Sequence, residues 1–221
     1  SVKEYYFSAK LREVNSLIKM GKPIINMGIG SPDLFPSKDV ISSLWESINH
    51  PQAHQYQSYQ GIPELRQAIS DFYKSHYNVI LNSDSEVLPL IGSKEGVMHI
   101  SMAFLNPGDH VLIPNPGYPT YSSVTNLLEA KPISYDLKES NRWLPDIKKL
   151  KEMDLSKVKI MWMNYPHMPT GAEADDSFFD EIILFAKKNK ILIVNDNPYS
   201  FILTKFPRSF LSRKGALEVG M

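Results

Sequence analysis

The segment "IVNDNPYSF", residues 193–201, places an acid and a phenol directly after an apolar run. Strands buried on both faces read as continuous Ile, Val and Leu, and open α/β sheets hold ligands just beyond the carboxyl ends of their strands. Asp196 and Tyr199, three residues apart, could each contact one position of a single small ring. The alternative is an ordinary turn after a strand, since Asn, Asp and Pro all favour turns.

A second candidate lies in "IGSKEG", residues 91–96, between a strand-like and a helix-like stretch. Small residues there allow main-chain N–H groups and the helix dipole to approach an anion such as phosphate. The alternative is a plain helix N-cap by Ser93. The stretch is not a Walker loop, because the G-x-x-x-x-G-K-[ST] spacing is absent. Nor is "GIGSPD" a dinucleotide fingerprint, because Asp33 stands at the third glycine position.

Two proline-rich turns follow other strand-like stretches. In "PNPGYPTY", residues 114–121, Tyr118 projects from a rigid turn and could stack on a flat heterocycle; a tyrosine of the core or its rim is the alternative. In "NYPHMPTG", residues 164–171, two prolines restrict the backbone, so that Asn164 and His167 are expected to take fixed directions.

Composition removes several classes of function. Lys plus Arg and Asp plus Glu both number 24, so no net charge attracts nucleic acid or an anionic membrane. The absence of cysteine excludes disulfides, thiolate metal sites and a cysteine nucleophile. Only His50 and His54 have a metal-like spacing, and Pro51 between them indicates a loop, so we predict no metal site.

Nothing in the pattern of apolar residues indicates export or membrane insertion. Residues 1–22 lack the uninterrupted apolar core of a signal peptide. No apolar run approaches the roughly 20 residues that a membrane span needs. We therefore expect a soluble, cytoplasmic protein that binds neither membranes nor nucleic acid.

Strand-like and helix-like stretches alternate along most of the chain. An amphipathic helix is predicted over residues 3–20, a brief strand entering a loop over 23–37, and a helix over 62–77 with Pro63 in its first turn. From residue 86 onward, strands alternate with helices, which predicts a mostly parallel α/β sheet flanked by helices. The strand-like stretches are 86–92, 110–116, 131–137, 157–166 and 191–196, and the helix-like ones are 93–105, 120–130, 144–153 and 175–190.

Six motifs together resemble those of the class I/II, fold type I pyridoxal-phosphate aminotransferases. They are "GIGSPD", "YQSYQGIPELR", "GSKEG", "NPGYPTY", "NYPHMPTG" and "NDNPYSF", in the order and at the spacings of that family. The resemblance implies pyridoxal 5'-phosphate as cofactor, exchange of an amino group between a 2-amino acid and a 2-oxo acid, and a homodimer.

The resemblance also implies roles for individual residues around the cofactor ring. Asp196 would pair with the pyridine nitrogen and keep it protonated, which makes the ring an electron sink for a carbanion. Tyr199 would donate a hydrogen bond to the phenolic oxygen of the ring, and Tyr118 would stack on the ring face.

Further roles implied by the resemblance concern the phosphate and the substrate. Gly92, Ser93 and Lys94 would bind the cofactor phosphate. Gly30 would lie at the substrate carboxylate, and Tyr56 would reach into the site of the neighbouring subunit.

One departure from the family pattern lies inside the site. The family usually has Asn immediately before "PTG", donating a hydrogen bond to the phenolic oxygen, and this chain has Met168. A thioether cannot donate a hydrogen bond. Tyr199 would then carry that contact alone, with Asn164 nearby.

A second departure concerns the family's Schiff-base lysine, which follows the "NPYS" stretch in a Ser-rich "S-x-S-K" segment. Residues 202–221 contain no such segment, and Lys205 and Lys214 lack its context. We therefore predict no catalytic lysine in these 221 residues, and expect them to correspond to the N-terminal part of the family unit and to be inactive alone. In this interpretation, residues 1–35 are the N-terminal helix and arm, part of the small domain, and residues 36–221 are part of the cofactor-binding large domain.

Two other functions remain compatible with the sequence. One is a pyridoxal-phosphate lyase or decarboxylase on the same scaffold, because fold and cofactor do not determine the reaction. The other is a non-catalytic protein that retains the fold.

Overall fold

Two compact units divide the chain, Ser1–Gln57 and Ser58–Met221. The structure, a computed structural model, describes residues 6–28, 30 and 32–221, apart from the side chain of Leu203. The predicted domain boundary at residue 35 stays a prediction. No helix among these described residues is long and apolar enough to cross a membrane.

The first unit contains two helices, α1 (Tyr6–Lys19) and α2 (Lys38–Ile48). The structure confirms the predicted first helix within its described residues, whereas α2 was missed. Ser37 caps α2 by accepting a hydrogen bond from the main-chain N–H of Val40. The brief strand expected after residue 23 is wrong for residues 23–28, which form no ladder and leave Ile25 87% exposed. Ile24 and Ile25 are apolar, but no described strand pairs with them, so the segment does not form a strand.

The second unit is built on a four-stranded parallel sheet. Its strands are β1 (His110–Asn115), β2 (Lys131–Asp136), β3 (Val158–Met163) and β4 (Leu192–Asn195), in the order β2-β1-β3-β4. All three neighbouring pairs are parallel. The predicted α/β class is therefore confirmed. The main chain of Val219–Met221 also bonds to Ile193 and Asn195 of β4, with N···O distances of 2.8–3.0 Å.

Helices precede, connect and follow these strands. They are α3 (Pro63–Tyr77), α4 (Ser93–Phe104), α5 (Pro119–Leu127), α6 (Ile147–Glu152), α7 (Asp176–Asn189) and α8 (Ser200–Leu203), with 3₁₀ turns at Glu139–Asn141, Phe210–Ser212 and Ala216–Glu218. Of these, α4, α5, α6 and α7 contribute residues to the two apolar clusters that cover the sheet. The alternating side chains of β3 show the two layers. Met161 and Met163 pack into the cluster that includes residues of α6 and α7, while Ile160 and Trp162 pack into the cluster that includes residues of α4 and α5. This alternation follows from the two-residue period of a strand.

The strand expected at residues 86–92 is wrong. This stretch is irregular, and Leu88 and Ile91 are 60% and 97% exposed. Pro89 has no main-chain N–H to donate to a ladder. The main-chain N–H of Ile91 instead donates to the Glu95 carboxylate at 2.6 Å. The stretch therefore leads into α4 as a loop.

Candidate functional site

A cavity of about 170 Å³ lies at the carboxyl edge of the sheet in the second unit. It opens beyond β1, β3 and β4. From β1 the chain proceeds to β2 on one side of the sheet and then to β3 and β4 on the other side, so the topological switch point lies between β1 and β3. Such switch points leave a crevice at the strand ends where ligands bind. The lining residues are Ser93, Tyr118, Tyr121, Asn164, Met168, Asp196, Pro198 and Tyr199.

Asp196 stands directly after β4 and brings a half-buried carboxylate to this cavity. Its Oδ2 accepts a hydrogen bond from the Tyr121 hydroxyl at 2.8 Å. Burial raises the pKa of the Asp196 carboxyl above its usual range, and the hydrogen bond from Tyr121 lowers it in part. The main-chain N–H of Asp196 donates to the carbonyl of Met163 at the end of β3, at 2.9 Å. The carboxylate is thus anchored through both its side chain and its backbone.

Asn164 is 3% exposed and joins two of the loops that form the cavity. Its Nδ2 donates to the main-chain carbonyl of Asp196 at 2.6 Å. Its Oδ1 accepts from the main-chain N–H of Met168 at 2.7 Å. The amide therefore holds the turn after β3 against the loop after β4, and it contacts the backbone of Asp196 rather than the carboxylate.

Tyr118 and Tyr121 lie one turn apart at the start of α5. Their rings meet edge to face, with centroids 5.7 Å apart. Tyr118 is half-buried, and the ammonium of Lys94 lies 5.8 Å from its ring centroid. Tyr121 is 1% exposed, and its ring stacks on Trp162 of β3 at 4.9 Å with an interplanar angle of 7°. Burial raises the pKa of the Tyr121 hydroxyl far above its usual range, and the nearby Asp196 carboxylate raises it further.

The start of α4 forms the opposite, exposed side of the cavity. The helix begins at Ser93, and its N-cap is Gly92, with φ of 97° and no side-chain cap. The alternative interpretation of Ser93 as the N-cap is therefore wrong, because Ser93 is the first helical residue. Apart from the two chain neighbours of Gly92, no described residue has an atom within 4 Å of where a Cβ of Gly92 would be. The main-chain N–H groups and the dipole at the start of a helix suit an anion.

Tyr199 and Met168 complete the lining. Tyr199 is half-buried and directly precedes α8. Among the described residues, the Tyr199 hydroxyl has no hydrogen-bond partner. Met168 brings a thioether to the cavity where the family usually has an amide.

His167 takes a fixed direction, as predicted, but it does not line the cavity. It is 1% exposed. Its Nδ1 lies 2.8 Å from the Thr170 hydroxyl and its Nε2 lies 3.2 Å from the carbonyl of Pro116. Burial lowers the pKa of the imidazole, and the contact with the Pro116 carbonyl raises it in part. The ring joins the two proline-rich turns, both of which contribute residues to the cavity, and it does not itself line the cavity.

The structure brings five of the predicted ligand-binding residues to one cavity: Ser93, Tyr118, Asn164, Asp196 and Tyr199. Gly92 and Lys94 flank Ser93 at the start of α4. Gly30 and Tyr56 belong to the first unit and are both exposed there. Lys205 and Lys214 are exposed and do not line the cavity.

Tyr121 and Pro198 are the lining residues that the sequence analysis missed, and Tyr121 is the one that bonds to Asp196. The motif "NPGYPTY" contains Tyr121, three residues after Tyr118. That spacing places both side chains on one face of a helix, which is the signal that could have identified it. Its partner Asp196 is 75 residues away in sequence, and no local pattern predicts that contact.

Comparisons with known proteins identify the family. The profile of the family "Aminotransferase class I and II" matches residues 22–217. An LL-diaminopimelate aminotransferase of Dehalococcoides mccartyi is 40% identical over 219 residues, which cover 98% of this chain and 56% of that protein. Transaminase BacF of Bacillus subtilis is 39% identical over 97% of this chain and 54% of its own length. The chain thus spans little more than half the length of these relatives.

Solved structures show the same similarity in three dimensions. The structure of apo-BacF from Bacillus subtilis superposes with a TM-score of 0.93 at 38% identity, covering 100% of this chain and 56% of that chain. An aminotransferase from Staphylococcus aureus superposes with a TM-score of 0.85 at 33% identity, over 90% of this chain and 53% of that chain.

Proposed function

The chain belongs to the class I and II aminotransferases, and from this premise we propose that the protein is a pyridoxal-phosphate-dependent aminotransferase. It moves an amino group between a 2-amino acid and a 2-oxo acid, in the cytoplasm and as a homodimer. The roles expected of Gly30 and Tyr56 remain predictions within this proposal.

The observation that carries the proposal is the convergence of Asp196, Tyr199 and Tyr118 on one cavity. They come from the ends of two different strands and provide a carboxylate, a hydroxyl and an aromatic face. The pyridine ring of pyridoxal phosphate offers a matching set of groups: a nitrogen, a phenolic oxygen elsewhere on the same ring, and a flat surface. A turn without a ligand would not require these three groups to meet.

The residues present fit the cofactor by their chemistry. The carboxylate of Asp196 is half-buried, and only one of its oxygens has a partner among the described residues. Gly92 leaves open space at the start of α4, where main-chain N–H groups and Lys94 suit a phosphate. When bound, pyridoxal phosphate supplies an electron sink for the carbanion formed at the 2-carbon of an amino acid.

The chain's own residues bind and orient the cofactor in this proposal. Asp196 would accept a hydrogen bond from the protonated ring nitrogen, and its negative charge would favour that protonation state. Tyr118 covers one face of the ring. Tyr199 donates to the phenolic oxygen, and it does so without the usual amide, because Met168 has no hydrogen to donate. Asn164 retains one amide N–H beyond its bond to the Asp196 carbonyl.

The names of the relatives favour transamination over the other reactions of this scaffold. LL-diaminopimelate aminotransferase and transaminase BacF differ in name, but both names describe amino-group transfer. Their identities to this chain are 40% and 39%, so neither selects a substrate. We therefore propose the substrate only as a 2-amino acid.

The test uses the protein at its full encoded length. It is mixed with pyridoxal phosphate, and absorbance is followed while amino acids, LL-diaminopimelate among them, are added singly with a 2-oxo acid acceptor. We expect a cofactor absorbance that changes with at least one amino donor, together with release of the matching 2-oxo acid. Binding of the cofactor without product would contradict transamination, and absence of binding would contradict the cofactor assignment.

A further inference from the structure

We propose that Tyr121 is a positioning residue for Asp196: its buried hydroxyl holds carboxylate oxygen Oδ2, so that Oδ1 is the oxygen presented to the cavity. That Oδ1 meets a pyridine nitrogen rests on the proposed function. The contact between the two side chains does not depend on it.

The position of the hydroxyl is determined by the core of the second unit. The Tyr121 ring lies parallel to Trp162 at 4.9 Å, and Trp162 is itself 1% exposed in the central strand β3. On another side, the Tyr118 ring meets Tyr121 at an angle of 81°. A ring confined in this way has little freedom, so its hydroxyl reaches one place. That place is 2.8 Å from Oδ2 of Asp196.

Tyr121 is the one described residue that bonds to the Asp196 carboxylate. Asn164 contacts only the main-chain carbonyl of Asp196, and His167 faces Pro116. The other titratable groups that line the cavity are Tyr118 and Tyr199. Among the described residues, the carboxylate oxygens of Asp196 therefore have one hydrogen-bond donor, the Tyr121 hydroxyl, while the other contacts hold its backbone.

A buried phenol suits this role by its chemistry. It stays protonated, because burial and the adjacent carboxylate both raise the pKa of the Tyr121 hydroxyl. It therefore keeps the O–H proton that it donates to Oδ2 of Asp196. A hydrogen bond to an ionised acceptor is about twice as strong as a neutral one. The phenol stabilises the carboxylate without placing a second positive charge beside the cationic ring nitrogen.

The first test measures Asp196 directly, without cofactor. The carboxyl carbon of Asp196 is titrated by ¹³C NMR in the wild type, in Tyr121→Phe and in Tyr135→Phe, each at full encoded length. Tyr135 is the matched control, because its buried hydroxyl also makes one hydrogen bond, to the carbonyl of Trp162 at 2.7 Å. We expect the pKa of Asp196 to rise in Tyr121→Phe and to stay at its wild-type value in Tyr135→Phe.

The second test is a double-mutant cycle in the loaded enzyme. Tyr121→Phe is expected to lower kcat/KM about 10- to 100-fold, the range for a hydrogen bond to a charged group. The same change made together with Asp196→Asn should have little further effect, since coupled residues act through one another. A full additional loss in that background would overturn the proposal.

Two other outcomes also overturn it. One is an Asp196 pKa that is the same in Tyr121→Phe and in the wild type. The other is loss of the fold in Tyr121→Phe while Tyr135→Phe stays folded, which would make the hydroxyl structural. The titration needs no cofactor, so its result stands even where the transamination assay fails, and the two failures remain distinguishable.

Discussion

The cavity has two unlike walls. The strand-end wall, Asn164, Asp196 and Tyr121, is buried or half-buried and joined by hydrogen bonds of 2.6–2.8 Å. The helix-end wall, Gly92, Ser93 and Lys94, is exposed. A carboxylate withdrawn from water needs fixed partners to remain ionised. A phosphate at a helix start can keep part of its solvation and use main-chain N–H groups.

The difference in exposure between the two walls indicates where substitutions should reduce activity most. Groups of the strand-end wall act in a partly desolvated environment, where removing one partner leaves another uncompensated. Groups of the helix-end wall act beside water, which screens charge and replaces lost contacts. We therefore expect losses of function to fall steeply from the first wall to the second.

The largest effect is expected for Asp196→Ala. Breaking a buried ion pair costs about 3–5 kcal/mol, so transaminase kcat/KM should fall by roughly two to nearly four powers of ten. Steady-state kinetics of the full-length protein measure this. Asp180→Ala is the control and should retain activity, because Asp180 lies on α7 with its carboxylate exposed and paired with Arg213. Turnover of Asp196→Ala near the wild-type rate would show that another group partners the ring nitrogen.

A smaller effect is expected for Tyr199→Phe. One hydroxyl and its hydrogen bond are removed, and a net hydrogen bond contributes about 0.5–1.5 kcal/mol. The kcat/KM should therefore fall about 2- to 10-fold, with the ring of the side chain still in place. A loss as large as that of Asp196→Ala would mean that Tyr199 does more than donate to one oxygen.

The helix-end wall should respond less again. Lys94→Ala is expected to weaken pyridoxal phosphate binding by about 2- to 5-fold, because exposed charge pairs contribute about 0.2–1 kcal/mol. Added salt should reduce the difference between this variant and the wild type. Lys214→Ala, an exposed lysine outside the cavity, is the matched control. Equal binding by wild type and Lys94→Ala at low salt would remove Lys94 from the phosphate site.

Stability should change in the opposite direction to activity at Asp196. Burial raises the pKa of this carboxyl in the folded state, so its stabilising contribution is present below the unfolded pKa of about 3.9 and lost as pH rises through the folded pKa. Asp196→Asn should accordingly have a higher Tm than the wild type at pH 7, with the difference shrinking toward pH 4. A Tm difference that stays constant with pH would contradict the raised pKa.

The smallest effect is expected at the lysines that follow the site. Lys205 and Lys214 do not line the cavity, so borohydride reduction of residues 1–221 soaked in pyridoxal phosphate should leave neither lysine with a stoichiometric adduct. Peptide mass mapping reads this out. A stoichiometric pyridoxyl group on either residue would show that the chain carries its own amine for the cofactor.

The predicted strands and helices succeeded or failed according to their partners. β1, β3 and β4 were predicted because continuous apolar runs are typical of strands covered on both faces, and the structure covers them with helices. Residues 86–92 have a similar apolar content but no neighbouring strand and a proline within the run. Whether such a stretch forms a strand depends on whether another strand lies beside it, and the sequence of the stretch does not contain that information.

The candidate site divides in the same way. Asp196, Tyr199, Tyr118 and Asn164 follow strand-like runs, so their meeting at one sheet edge was predictable from the sequence. The Tyr121 hydroxyl was not, because its partner is 75 residues away and the register of α5 over the sheet determines which ring face meets Trp162.

By itself, the sequence determined the parallel α/β class and the chemical groups available at the strand ends, because both follow from local periodicity and residue type. Only the tertiary structure determined which hydrogen bonds form between these groups. In the folded protein the Asn164 amide bonds to the main-chain carbonyl of Asp196, and the His167 ring contacts the carbonyl of Pro116. The Tyr121 hydroxyl bonds to the Asp196 carboxylate. The physical reason is that hydrogen bonds of a few ångströms depend on side-chain packing between elements that are distant in sequence.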